Sequence, residues 1–261
     1  MYKKKASAQF IKLIKIVEKL RSPDGCSWDK EQTPKTLLPY FLEETYEVIE
    51  SVESENWDNL KEELGDVLLH VILQAQIGTE NNRFNVADLL NTINKKLIYR
   101  HPSVFSIDEN KTKMNNQKKN WEELKFEEQD RKSRLDGVPL TLPALNRAQR
   151  LQEKASYAGF DWDDISSVWE KVEEEIQELK QAQLSGDLKS VEEELGDFIF
   201  SIVNLSRFLN INSEDALRNA SKKFSNRFCK LEQVLLKDGK TFKNTSTDQL
   251  NSIWDKIKKE E

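Results

Sequence analysis

Residues 174–178 read Glu-Glu-Ile-Gln-Glu, and residues 193–197 read Glu-Glu-Leu-Gly-Asp. In a helix, positions three apart share a face, so Glu175 lies with Glu178 and Glu194 with Asp197. Between the two stretches, Ser185-Gly186-Asp187 predicts a short connection that folds their helices antiparallel. Val172, Ile176 and Leu179 supply a core stripe beside Glu175, and Leu195, Phe198 and Ile199 flank Asp197 in the same way. The expectation is a helical hairpin with four carboxylates facing one another near its seam.

The same pattern occurs upstream. Residues 43–47 read Glu-Glu-Thr-Tyr-Glu and 62–66 read Glu-Glu-Leu-Gly-Asp, each 131 positions before its counterpart (174 minus 43, and 193 minus 62). Further on, Lys95-Lys96-Leu97 with Arg100 corresponds to Lys222-Lys223-Phe224 with Arg227, and Trp121 with Lys125 to Trp254 with Lys258. Four elements recurring in one order mark a duplication. The chain therefore reads as all-α, two tandem helical repeats, each a four-helix bundle-type unit. The first is expected over 1–130 and the second over 144–261. The join spans 131–143, where Asp-Gly-Val-Pro and a further proline break helical periodicity. Ser106–Lys119, polar and poor in apolar residues, predicts a loop. The main helices of the second copy are expected near 164–184, 187–209, 213–237 and 247–260. Ser213, followed by Glu214 and Asp215, marks the start of the third.

Composition agrees with this reading. Only 8 of 261 residues are Gly and 6 are Pro, so tight turns are few, and 33% charged residues suit helices that each turn one face to water. A net charge of −6 argues against a nucleic-acid partner, which would need basic patches. No apolar run approaches the roughly 20 residues of a membrane span. The basic start, Met1–Ala8, is followed by amphipathic residues where a signal peptide would be apolar. A cytoplasmic protein without a membrane partner is expected. Cys26 and Cys229 are too isolated for a disulfide framework or a zinc site.

The acids carry the chemistry. Four carboxylates gathered between helices repel one another unless cations neutralise them. Hard divalent ions with oxygen ligands answer that need, and Mg²⁺ fits best because it shares carboxylates with substrate phosphates. The candidate ligands are Glu175, Glu178, Glu194 and Asp197, with Glu44, Glu47, Glu63 and Asp66 in the first copy. An ordinary solvated acidic face is the alternative. Gly65 and Gly196 each weaken a helix beside an acid, which suits either close approach of a ligand or backbone, or helix–helix crowding. Lys223 and Arg227, four apart, form one basic face that could hold a polyphosphate or simply meet solvent. Trp254 and Lys258 suit base stacking and a phosphate contact, although Trp254 equally suits anchoring the last helix.

These motifs resemble the all-α nucleotide pyrophosphohydrolases of the MazG family. The run Gly25-Cys26-Ser27-Trp28-Asp29-Lys30-Glu31-Gln32-Thr33, with Tyr40 and Glu43-Glu44 after it, is similar to the family's opening motif. Gly159-Phe160-Asp161-Trp162 resembles the linker motif of two-repeat members. Ser27 departs from the family's usual proline without removing a candidate ligand.

The resemblance covers nearly the whole chain. It implies Mg²⁺-dependent hydrolysis of nucleoside triphosphates to monophosphate and pyrophosphate, with Mn²⁺ as a substitute ion. It also implies a homodimer whose helices complete the sites, and a nucleotide-cleaning or alarmone-lowering role. Catalysis and metal binding fall to Glu175, Glu178, Glu194 and Asp197. Substrate contacts fall to Lys171, Glu174, Glu193, Lys223, Arg227, Trp254 and Lys258. Two rivals from other classes are a di-metal carboxylate bundle and a non-catalytic helical adaptor. The first normally needs Glu-x-x-His, yet Val67 and Ile98 stand three residues before His70 and His101.

Overall fold

The computed structural model of the chain describes residues 2–105, 126 and 132–260. Among the described residues there are helices and no strand. The chain divides into two compact units, Met1–Met114 and Asn115–Glu261. The loop expected at Ser106–Lys119, together with Trp121 and Lys125, lies outside the described residues.

The first unit contains α1 (Tyr2–Arg21), α2 (Ser27–Glu31), α3 (Leu38–Glu53), α4 (Trp57–Glu80), α5 (Val86–Arg100) and α6 (Pro102–Phe105). Local chemistry sets the boundaries. The Asn56 side chain accepts from the Asn59 amide to start α4, and Asn85 forms a capping box with Asp88 to start α5. Val17, Leu37, Ile72, Leu73 and Ile77 form the core, with Phe10, Leu13, Ile14, Leu69 and Val86 packed against it. Arg21 closes this unit near the ends of α1 and α4. Its Nε and Nη2 donate to the Glu80 carboxylate at 2.9 and 2.8 Å. Its Nη1 donates to the backbone oxygens of Asp29 and Gln32. One buried guanidinium thereby fixes the opening motif against the core. The bidentate contact holds the Glu80 carboxyl below its ordinary range.

The second unit contains α7 (Ala144–Tyr157), α8 (Ile165–Ser185), α9 (Leu188–Phe208), α10 (Ser213–Lys237), a 3₁₀ turn (Phe242–Asn244) and α11 (Thr247–Lys259). The connection between α8 and α9 is short because Gly186 takes φ of 75°, in the left-handed region, and Asp187 caps the next helix. The Asp187 carboxylate accepts from the Lys189 amide and the Ser190 hydroxyl. Val168, Val172 and Leu205 form the seam of this hairpin, with Ile176, Phe198, Ile202 and Phe208 around it. A separate cluster of Leu231, Leu235 and Ile257 joins α10 to α11, and Trp254 packs against it.

Helix α7 lies outside the four main helices expected for this copy. It is strongly amphipathic but polar on average, and polar side chains hold it in place. Gln152 donates to the Phe200 backbone oxygen at 2.8 Å, and Gln149 accepts from the Ser213 amide and hydroxyl, each at 3.0 Å. The cap of α10 is Asn212, which accepts from the Asp215 amide; Ser213 is the first helical residue. Leu195 and Ile199 are about half exposed, whereas Phe198 packs into the seam. The apolar face flanking Asp197 is thus open within this chain.

Leu37 has no exposed surface, so Leu37→Ala is expected to cost about 2–5 kcal/mol. Gly186→Ala is expected to cost about 1–2 kcal/mol, from the left-handed backbone alone. Urea unfolding of each variant checks both values.

Candidate metal centre

In the second unit, Glu175 projects from α8, and Glu194 and Asp197 project from α9. Each offers a carboxylate oxygen, and the three oxygens all lie within 4.8 Å of one another. Glu175 is the buried member at 5% exposure, Glu194 is half-buried and Asp197 exposed. The Lys171 ammonium reaches Glu175 Oε1 at 2.8 Å and Glu174 Oε1 at 2.8 Å. These two hydrogen bonds, Glu174's first, raise the Lys171 pKa and keep it charged. The other oxygen of Glu175, Oε2, is buried and has no hydrogen-bond partner among the described residues. A buried carboxylate oxygen without a donor is costly unless something positive meets it.

The electrostatics point the same way. Burial first, then the charges of Glu178, Asp197, Glu175 and Glu193, push the Glu194 carboxyl above its ordinary pKa. Glu178 is exposed and outside the converging three, although its charge acts on Glu194. All-oxygen donors, mutual repulsion and an unmet buried oxygen fit a hard divalent cation such as Mg²⁺.

The first unit repeats the arrangement with Glu44 on α3 and Glu63 and Asp66 on α4, again with oxygens within 4.8 Å. Burial and then Asp66, Glu47 and Glu43 raise the Glu44 pKa. Burial and then Glu47 raise that of Glu63, partly through a carboxyl–carboxyl hydrogen bond. The surroundings differ, however. The 131-residue offset puts Tyr40 where the second unit has Lys171, and Tyr40 meets Trp28 edge-on at 5.7 Å. It also puts His70 where the second unit has Ser201. His70 is buried against Phe41, with Nδ1 unpartnered and its pKa lowered mainly by burial.

A Cβ added at Gly65 or Gly196 would meet nothing within 4 Å. Among the described residues, crowding inside the chain therefore does not account for either glycine, and space remains open beside both acid groups.

The other expected site residues lie outside the converging three. Glu193 is exposed and 3.6 Å from Lys189. Lys223, exposed, and Arg227, half-buried, belong to α10, and Lys258 pairs with Asp255 on α11 at 2.7 Å. Trp254, half-buried, leans on Phe224 at 5.4 Å and on the α10–α11 core. The acids and this basic, aromatic surface thus occupy different helix pairs. Two contacts escaped sequence reasoning: the clamp of Lys171 on Glu175, and the replacement of that lysine by Tyr40. Extending the 131-residue offset one turn upstream of the acids would have exposed the second.

Paired helices that gather acids in this way define an all-helical protein with two carboxylate groups that could hold a metal ion. Comparison with known proteins narrows that class. The family model of the MazG nucleotide pyrophosphohydrolase domain matches residues 32–105 and again 164–230. A Thermotoga maritima protein named nucleoside triphosphate pyrophosphohydrolase/pyrophosphatase MazG is 47% identical over 257 residues, covering 98% of each chain. The nucleoside triphosphate pyrophosphohydrolase of Escherichia coli K12 is 40% identical over 97% of this chain and 98% of its own. The chain belongs to the MazG nucleotide pyrophosphohydrolase family.

Raised carboxyl pKa values imply a sign for stability. An acid with a raised folded-state pKa favours the fold while protonated, and that contribution is lost as pH rises through its folded value. Glu194→Gln is therefore expected to melt above the parent chain in EDTA at pH 7.5, with the gap closing towards pH 5. Mg²⁺ is expected to raise the melting temperature of the parent and not that of the variant. Calorimetric melting at both pH values reads all of these outcomes.

Proposed function

We propose that this chain hydrolyses nucleoside triphosphates to monophosphate and pyrophosphate at the second-unit carboxylates, with Mg²⁺ held by Glu175, Glu194 and Asp197 and assisted by Glu178. The unmet Oε2 of Glu175 is the observation that carries this reading. When bound, Mg²⁺ supplies charge that neutralises phosphate oxygens and acidifies water. Lys171 holds Oε1 of Glu175, so the buried carboxylate keeps one orientation with Oε2 free. Glu178 stays outside the converging three and is left to orient the attacking water. Lys171, Glu174 and Glu193 border the acids and contact substrate. Lys223, Arg227 and Lys258 stabilise the departing pyrophosphate, and Trp254 stacks on the base. The first-unit ligands are Glu44, Glu63 and Asp66, with Glu47 beside them; Mn²⁺ substitutes for Mg²⁺ in either unit.

Because acids and basic residues occupy different helix pairs, we place them together in a homodimer, with helices from two chains completing each site. The half-exposed Leu195, Ile199 and Phe200 and the open space at Gly196 support an apolar approach beside the acids. Among the described residues no helix is long and apolar enough to cross a membrane, and a cytoplasmic nucleotide pool is the proposed setting.

Glu178→Ala and Asp197→Ala, made separately, are each expected to lower pyrophosphate release from several triphosphates more than about a hundredfold, since several kcal/mol of charge stabilisation are at stake. Wild-type turnover in both variants would refute the assignment. Glu47→Ala and Asp66→Ala, assayed alongside, report on the first-unit site.

A further inference from the structure

A cavity of about 470 Å³ opens on the first unit, away from its acid group in sequence. Its walls are one face of α1, with Lys12, Lys15, Ile16, Lys19 and Leu20, and the turn Asp24-Gly25-Cys26. The lysines fall at i, i+3 and i+7, so their stems line up along about 10 Å of one helix face. Asp24 is the only acid in the lining, and among the described residues none of the three lysines is engaged in an ion pair.

The end of a helix normally carries negative character that would oppose an anion. Here the last carbonyls are already occupied. The Ser22 hydroxyl donates to Lys19 O at 2.8 Å, and the Cys26 amide donates to Leu20 O at 2.8 Å. Glycine is required in this wall, because a Cβ at Gly25 would lie 2.1 Å from Leu20 O. The turn is thus locked against the helix, and the cavity keeps its shape. Ile16, Leu20 and the lysine stems make an apolar floor beneath a cationic rim.

We infer that this cavity is a second nucleotide site, holding a base on the apolar floor and a phosphate tail across Lys12, Lys15 and Lys19. A volume of this size is typical of small-molecule sites and exceeds what an inorganic phosphate fills. Lysine binds phosphate as a point charge and needs no metal, so the site works independently of the acid groups and of the reaction proposed for them.

Cys26, half-buried in the cavity wall, provides a local reporter. The full-length chain carrying Cys229→Ser is alkylated with iodoacetamide in EDTA, with ADP, adenosine or no addition. ADP is expected to slow Cys26 alkylation at least fivefold, and adenosine less than twofold. The protection should vanish in the Lys12→Gln/Lys15→Gln/Lys19→Gln variant and weaken in Lys15→Glu alone. All three lysines are solvent-exposed on α1, so the fold should tolerate these changes. The absence of protection by ADP, equal protection by adenosine, or undiminished protection in the lysine variants would each overturn the inference.

Discussion

Mutual repulsion among carboxylates held between paired helices is the constraint on which this protein depends. Glu175 cannot leave the α8–α9 seam, because Val172 and Val168 on its own helix are buried there. Glu194 and Asp197 follow from the register that the Gly186-Asp187 turn imposes on α9. Hydrophobic packing therefore forces like charges together, and the raised Glu194 pKa records the strain. Lys171 relieves only half of the buried carboxylate, leaving one oxygen unmet. The proposed divalent cation would complete that balance. In this view the core builds the site, and the site makes the core conditionally stable.

Much of this was legible before any coordinates. Periodicity and the Ser185-Gly186-Asp187 punctuation gave α8 and α9 to within one residue at each end, because caps and apolar stripes are local signals. Their spacing led to an expected convergence of four acids across the hairpin, of which Glu175, Glu194 and Asp197 come together and Glu178 does not. Helix α7 was missed because it is polar on average and is held by hydrogen bonds of Gln149 and Gln152, whose partners the sequence does not reveal. The clamp on Glu175 was hidden for another reason. Lys171 is one of many lysines on acidic helices, and only burial of its partner distinguishes it. The openness around Gly65 and Gly196 is likewise a three-dimensional fact, for a glycine letter alone suits crowding and exposure equally.

The duplication preserved one part of the site and altered another. Both units keep three converging acids, so each retains a group that could hold a cation. Around them, Lys171 corresponds to Tyr40 facing Trp28, and Ser201 to the buried His70. At the position of Lys171, a cation that pairs with the buried carboxylate is present in the second unit and a tyrosine in the first. The two groups share three converging acids but present unlike surfaces to whatever approaches, which is why the proposed hydrolytic reaction is assigned to the second.

The most direct test locates the ion. Crystals of the full-length chain grown with Mn²⁺ and a non-hydrolysable triphosphate should give an anomalous peak bonded, at the roughly 2 Å expected of hard-cation oxygen ligands, to Glu175 Oε2 and to oxygens of Glu194 and Asp197. Ordered nucleotide with those carboxylates turned to solvent, and no peak among them, would contradict the account.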